Sequence, residues 1–346
     1  MNIDKILIIR LSSIGDILLT TPLLRLLRQK FQTARIDFVI KKQFYDLLRM
    51  NPFVDHIYTF DTSKGHSALI RLQKETRDQG YDLVIDIHNN FRSCYLRRIP
   101  HAHIAKIKKY KWSRFFLVVC GWNFYRAVVP VYQRYIDTVA HLGIVYDGQG
   151  LDFYPDPATQ TSLHIRLGDA GFDFDRPTVG VAPGASFATK RWPVENFAQV
   201  VKRMVDELKV QILLVGGPTD IELTQIIAHR AGHSVYDLAG KLALMESACA
   251  MQYSNVVLTN DTGLMHLATA LKKPTVAIFG PTVRELGFFP VGPNTTVIEN
   301  VGLPCRPCTH MGRKTCPKKH FKCMKDTSPE QVFASVRMAL KEQSHG

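Results

Sequence analysis

No apolar run in this chain approaches the roughly 20 residues that a membrane-spanning helix requires. The opening residues, Met-Asn-Ile-Asp-Lys-Ile-Leu-Ile-Ile-Arg, lack the long apolar region and small-residue cleavage site of a secretion signal, so a cytoplasmic protein is expected. No Gly-x-Gly-x-x-Gly follows the first strand-like run, which argues against a dinucleotide-dependent dehydrogenase. No Gly-x-x-x-x-Gly-Lys-Ser/Thr occurs, which argues against a P-loop nucleotide hydrolase. Carboxylates do not cluster around the candidate phosphate loops, so no divalent metal is expected at a reaction centre. Acidic residues are scarce overall: 30 Asp and Glu stand against 44 Lys and Arg, a net charge of +14.

What is present describes a two-domain globular protein. A chain of 346 residues exceeds one ordinary core, and 46% hydrophobic content with a mean hydropathy of −0.05 is that of a globular protein. The excess cations crowd 92–98 and 106–114, with Trp112 inside the second cluster and Phe115 and Phe116 just beyond it. Such charge attracts nucleic acid, acidic lipid headgroups or phosphorylated substrates, and aromatics beside cations suit a membrane interface as well as RNA.

Strand-like and helix-like spacing alternate twice. The first half predicts strands at 5–11, 36–40, 56–60 and 83–87, and helices at 17–31, around Leu69, Leu72 and Thr76, and at 131–142. A polar passage at 147–157 carries no strong periodicity, and a domain junction is placed within 150–175. The second half predicts strands at 178–182, 211–215, 235–238, 256–259 and 275–279, with helices at 194–208, 222–231 and 244–251; a last helix covers 329–342. This is the pattern of two doubly wound parallel sheets in an α/β protein, one in 1–165 and one in 166–328. Ligands of such sheets bind beyond the carboxyl ends of the strands, so the active site is expected in a cleft between the domains.

The loops at those strand ends carry the chemistry. Asn260-Asp261-Thr262-Gly263-Leu264-Met265-His266 turns from a strand into a helix whose first N–H groups and dipole form an anion site; Gly263 permits close approach, and Asp261 suits a sugar hydroxyl. Pro183-Gly184-Ala185-Ser186-Phe187-Ala188-Thr189-Lys190 offers the hydroxyls of Ser186 and Thr189 and a point charge at Lys190 able to neutralise a diphosphate. Gly216-Gly217-Pro218 brings Glu222 to the same edge. In the first half, Ser12-Ser13-Ile14-Gly15-Asp16 forms a tight turn that carries Asp16 to the cleft.

Taken in order, these pieces resemble glycosyltransferase family 9, best known for ADP-heptose:lipopolysaccharide heptosyltransferases. The resemblance rests on Arg-Leu-Ser-Ser-Ile-Gly-Asp (10–16), Asp-Ile-His-Asn-Asn-Phe-Arg-Ser (86–93), Pro-Gly-Ala-Ser with Lys-Arg-Trp-Pro (183–186, 190–193), Gly-Gly-Pro (216–218), Asp-Thr-Gly-x-x-His (261–266) and Phe-Gly-Pro-Thr (279–282). It implies a GT-B fold, two Rossmann-like domains, with residues 329–346 crossing back to the first. It implies inverting transfer of heptose from ADP-heptose to the inner core of a lipopolysaccharide precursor, with Asp16 as general base and Lys190 as donor phosphate ligand. Asp261 then meets a sugar or ribose hydroxyl, with Thr262, Gly263 and His266 around the diphosphate. Ser186 and Thr189 lie on the phosphate loop, Glu222 meets the nucleoside ribose and Leu242 the base. The acceptor, an anionic lipopolysaccharide core at the inner face of the cytoplasmic membrane, falls to the first domain, with Ser12, Ser13, Asn89, Arg92 and Lys108 as expected contacts. Another nucleotide sugar or lipid-linked acceptor is the alternative within this class.

Cys305-x2-Cys308-x7-Cys316-x6-Cys323 is a separate feature whose spacing suits either a structural zinc site or free thiols. A basic, zinc-bearing nucleic-acid-binding protein would explain the charge and the cysteines. It leaves Asp16, Lys190 and Asp261 without a task, so no nucleic-acid partner and no catalytic cofactor are expected.

Overall fold

Ile6, Leu7, Ile8 and Ile9 are all fully buried, which a strand achieves only when both faces of its sheet are covered. They form β1 (Lys5–Ile9), the centre of a sheet completed by β2 (Arg35–Lys41), β3 (His56–Phe60), β4 (Leu83–Asp86) and β5 (His103–Lys106). The order is β3-β2-β1-β4-β5, all parallel, with Ile8 beside both Phe38 and Ile85. A second parallel sheet contains β6 (Thr178–Ala182), β7 (Gln211–Leu214), β8 (Val235–Asp237), β9 (Val256–Asn260), β10 (Thr275–Phe279) and β11 (Thr295–Glu299), in the order β11-β10-β9-β6-β7-β8. This computed structural model describes residues 3–343; the first two and last three residues of the expected domains lie outside the described residues.

The chain divides into two compact units. One runs through Lys109 and resumes at Val129–Tyr154; the other takes Tyr110–Val128 and everything from Pro155 onward. These boundaries differ from 1–165 and 166–328. The helix Pro157–Asp169 belongs to the second unit because it packs on Leu244–Gln252: Asp156 N–H donates to Met245 Sδ at 3.4 Å, and Arg166 pairs with Glu246. The closing helix Pro329–Gln343 also stays with the second unit. Val332, Phe333 and Val336 join its core beside Val200, Met204 and Ile278, and Arg203 lies 4.1 Å from the Phe333 ring centroid.

Other differences have local causes. The helix expected at 17–31 is two, Ile14–Leu18 and Thr21–Lys30, because Pro22 is tolerated only in a first turn. The expected helix 131–142 is α-helical over Val131–Ile136 and 3-10 to Leu142, ending as expected at Gly143 with φ +73°. The polar passage 147–157 is ordered by charge: buried Arg25 donates to Asp147 at 2.7 Å and to the Gly150 carbonyl at 3.1 Å, and also pairs with Asp152.

Candidate active site

In both sheets the strand order reverses beside the first strand of the unit, between β1 and β4 and between β6 and β9. Connections leave such a pair in opposite directions, so the loops at their carboxyl ends part and open a crevice. Each reversal holds a cluster of buried polar groups.

At the β1–β4 reversal, Asp16 lies in the first turn of Ile14–Leu18 with its side chain 17% exposed. One carboxylate oxygen accepts from Arg10 Nη2 at 2.6 Å and from Tyr135 Oη at 3.3 Å. The other accepts from the Ser13 hydroxyl at 2.8 Å and the Ser13 N–H at 3.2 Å. Burial pushes the carboxyl upward, but the Arg10 guanidinium and the Ser13 donors outweigh it and hold Asp16 below its usual range. Asp16 is therefore ionised at neutral pH. Arg10 is fixed in turn, donating to the Ile87 carbonyl at 2.7 Å and the Ser12 carbonyl at 2.8 Å, with the Tyr135 ring 5.5 Å away. Beside it, burial, then Arg10 and Lys109, push His88 down to about 3, so the imidazole is neutral; its buried Nδ1 has no hydrogen-bond partner.

The expected acceptor contacts separate here. The Ser12 carbonyl and the Ser13 hydroxyl are engaged in orienting Arg10 and Asp16. Asn89 is spent as well: its amide donates to the Ile107 carbonyl at 3.0 Å and accepts from Arg97 at 3.2 Å. These bonds organise the turn around Asp16. Lys108 is exposed beyond β5, and Arg92 is exposed with its guanidinium 6.0 Å from the Phe60 ring. Phe60 also lines a cleft of about 750 Å³ with Lys42, Tyr45, Asp46, Thr59 and Asp61, at the carboxyl ends of β2 and β3. This mixture of aromatic and polar groups was not legible beforehand, because its members come from separate segments.

At the β6–β9 reversal, Lys190 Nζ lies 2.7 Å from Asp261 Oδ2. Asp261 directly follows β9 and is 5% exposed; the same oxygen accepts from the Thr282 hydroxyl at 2.6 Å. Asn260 stitches the two loops together, its amide donating to the Pro183 carbonyl at 2.7 Å and accepting from Trp192 N–H at 3.2 Å. Thr262 caps the helix Gly263–Ala270, accepting from Leu264 N–H at 3.2 Å. His266 is buried one turn into that helix. Gly184 is required by close approach: a Cβ there would lie 2.3 Å from Asp220 Cγ, whose carboxylate accepts from Gly217 N–H at 3.0 Å.

Ser186 is exposed on the loop after β6. Thr189 is buried, and its hydroxyl lies 2.8 Å from Arg313 N–H and 3.1 Å from the Arg313 carbonyl. Glu222 is exposed in the first turn of Ile221–Ala231 after β7, and half-buried Leu242 follows β8. Both lie outward from β6 along the sheet. Sequence reasoning gave no role to Arg10, Tyr135, Asn260 and Thr282; Arg10, Asn260 and Thr282 stood inside recognised stretches, whereas Tyr135 reaches Asp16 from 119 residues away.

The cysteines remain free thiols. Cys305 Sγ is 3.8 Å from His320 Nε2, and burial pushes the Cys308 thiol up and that of Cys323 to about 11. Among the described residues no three His, Cys, Asp or Glu side chains are grouped to hold a metal ion. Cys305, Cys308 and Cys316 each add to the upward push on the Cys323 thiol, so the four sulfurs are neighbours.

The profile of glycosyltransferase family 9 (heptosyltransferase) matches residues 69–320. Lipopolysaccharide heptosyltransferase 2 of Salmonella typhimurium is 28% identical over 98% of this chain and 99% of its own length. Among solved structures, the family 9 glycosyl transferase of Veillonella parvula superposes with a TM-score of 0.81 at 25% identity, covering 99% of both chains. The ADP-heptose lipopolysaccharide heptosyltransferase II of Escherichia coli does so with a TM-score of 0.71 at 20% identity, over 98% of this chain and 99% of that one, which places the fold in the GT-B class.

Proposed function

This chain belongs to glycosyltransferase family 9, and on that premise we propose that it transfers heptose from ADP-heptose to the inner core of a lipopolysaccharide precursor, with inversion at the anomeric carbon. The names of its relatives support the donor and the acceptor. The observation that carries the proposed mechanism is the Lys190–Asp261 pair at the opening of the helix Gly263–Ala270.

An acceptor hydroxyl is far too weak an acid to ionise at neutral pH, so a base must take its proton as the new bond forms. Asp16 is that base: ionised, oriented by Arg10, Tyr135 and Ser13, and partly exposed. As the bond from the anomeric carbon to the diphosphate breaks, negative charge grows on the leaving phosphate. Lys190 and the positive N-terminal end of the helix that opens at Gly263 stabilise it. Asp261 then has two tasks, holding Lys190 in place and accepting from a sugar hydroxyl. Glu222 and Leu242, farther out along the sheet, suit the ribose and base. Attack and departure on opposite faces complete the transfer in one displacement, without a covalent enzyme intermediate. Arg92 and Lys108 attract the anionic core acceptor, and the aromatic and polar cleft beside Phe60 offers a sugar-binding surface. Work on a lipid-borne acceptor places the enzyme peripherally at the inner face of the cytoplasmic membrane.

Calorimetric titration with ADP, UDP and GDP tests the donor. ADP preference, lost in Lys190→Ala and Asp261→Ala, supports the reading; preference for UDP or GDP removes heptose, and no nucleotide binding removes the mechanism.

A further inference from the structure

From residue 87 to residue 136 the chain holds ten Lys and Arg and no Asp or Glu. Within it, Tyr110–Val128 departs from the first compact unit and groups with the second. It forms a short helix, Lys111–Phe115, continues as a π-turn over Phe116–Cys120, and reverses at Gly121 with φ +73°. Its aromatic rings pack mainly on one another: Phe116 lies 5.6 Å from Phe115, 6.2 Å from Trp122 in a stacked arrangement, and 5.3 Å from Phe124. Leu117 is the segment's one buried apolar anchor. Trp112 remains 76% exposed, Val119 65%, Trp122 60% and Phe124 57%. Trp192, by contrast, is 1% exposed in the core of the second unit.

So much aromatic surface left in water is costly unless something covers it. Exposed Lys111 and Arg126 flank it, and the nearest acidic residues along the chain are Asp86 and Asp137. We infer that Tyr110–Val128 is a membrane-docking element, in which Trp112, Phe115, Trp122 and Phe124 enter the headgroup region of an anionic bilayer while the surrounding cations meet lipid phosphates. Rigid indole rings partition to that depth because one edge is apolar and the other carries an N–H donor. The cations add attraction specific to acidic lipid. Asn123 Nδ2 donates to Glu285 Oε1 at 3.1 Å, the carboxylate that meets the segment; a nucleic acid would need its bases to reach these rings, and the exposed aliphatic side chains of Val119 and Val128 favour a lipid surface. The inference refines the reading of the acceptor as lipid-borne, but its test contains neither donor nor acceptor.

The full-length protein is mixed with vesicles of neutral phosphatidylcholine, and with vesicles also containing phosphatidylglycerol, and free protein is separated by sedimentation. Binding to the anionic vesicles should exceed that to neutral ones by about tenfold or more. Tryptophan emission should shift to shorter wavelength, and brominated lipid should quench it in the wild type. The variant Trp112→Ser/Trp122→Ser should lose about tenfold or more of vesicle binding and all lipid quenching, while retaining its melting temperature and ADP affinity. Vesicle binding without quenching in the wild type, or undiminished binding in a folded double variant, overturns the inference. Absent ADP binding with normal vesicle binding would instead count against the donor reading alone.

Discussion

Lys190 Nζ and Asp261 Oδ2 meet at 2.7 Å across the loops that follow two adjacent strands, with the Thr282 hydroxyl on the same carboxylate oxygen. The lysine is thus fixed before any phosphate arrives, and the entropy of ordering a long flexible side chain is already spent. Lys190→Ala should weaken ADP binding by about tenfold or more, the loss expected for one charge-assisted contact. Thr282→Val should weaken it less, since it loosens only the support. Equal ADP affinity in Lys190→Ala and wild type, measured by calorimetry, would contradict the assignment.

Asp16→Asn should lower kcat by about 10²- to 10⁴-fold, with ADP affinity within twofold or so of wild type, because the base touches only the acceptor. Steady-state transfer and calorimetry on the same preparation separate the two effects.

Arg10 and the Ser13 donors together outweigh burial in holding the Asp16 carboxyl below its usual range. Activity governed by Asp16 should therefore stay level as pH falls from 7 towards 5. In Arg10→Gln the burial is left without its opposing charge, Asp16 rises, and the acid limb of kcat/KM should move to higher pH. A limb that does not move would detach Arg10 from the ionisation of Asp16.

His88 is neutral in the fold, pushed to about 3 by burial first and then by Arg10 and Lys109. Between the ordinary histidine value near 6.5 and that lowered one, the unfolded chain binds a proton that the folded chain does not. Stability must then fall as pH falls through this window, by at most about 1.4 kcal/mol per pH unit from this residue. His88→Asn should flatten the decline in urea midpoint between pH 6.5 and 4; an unchanged slope would assign the acid sensitivity elsewhere.

Gly184→Ala should cost about 1–3 kcal/mol of stability, since its Cβ would lie 2.3 Å from Asp220 Cγ. Combining it with Asp220→Ala should cost less than the sum, because the clash disappears with the carboxylate. Denaturant unfolding of both single variants and the double gives the coupling; strict additivity would mean that the loop shifts without strain.

The sequence alone determined the alternation of elements, because each central strand must be buried on both faces and reads as a continuous apolar run; 178–182 and 275–279 match β6 and β10 to the residue. It also pointed to the loops after these runs, where Asp16, Lys190 and Asp261 lie. Edge strands β5 and β11 stayed hidden because each offers only two adjacent apolar residues, Ile104-Ala105 and Val297-Ile298, whereas the edge strand β3 carries Ile57, Tyr58 and Phe60. Tertiary structure alone decided that Asp16 is paired with Arg10 and Tyr135, that Lys190 rests on Asp261, and that Ser13, Asn89 and Thr189 bond to Asp16, Ile107 and Arg313. The Tyr135–Asp16 and Thr189–Arg313 contacts join residues 119 and 124 apart, set by how the loops at each strand reversal fold together, and local propensity carries no record of them.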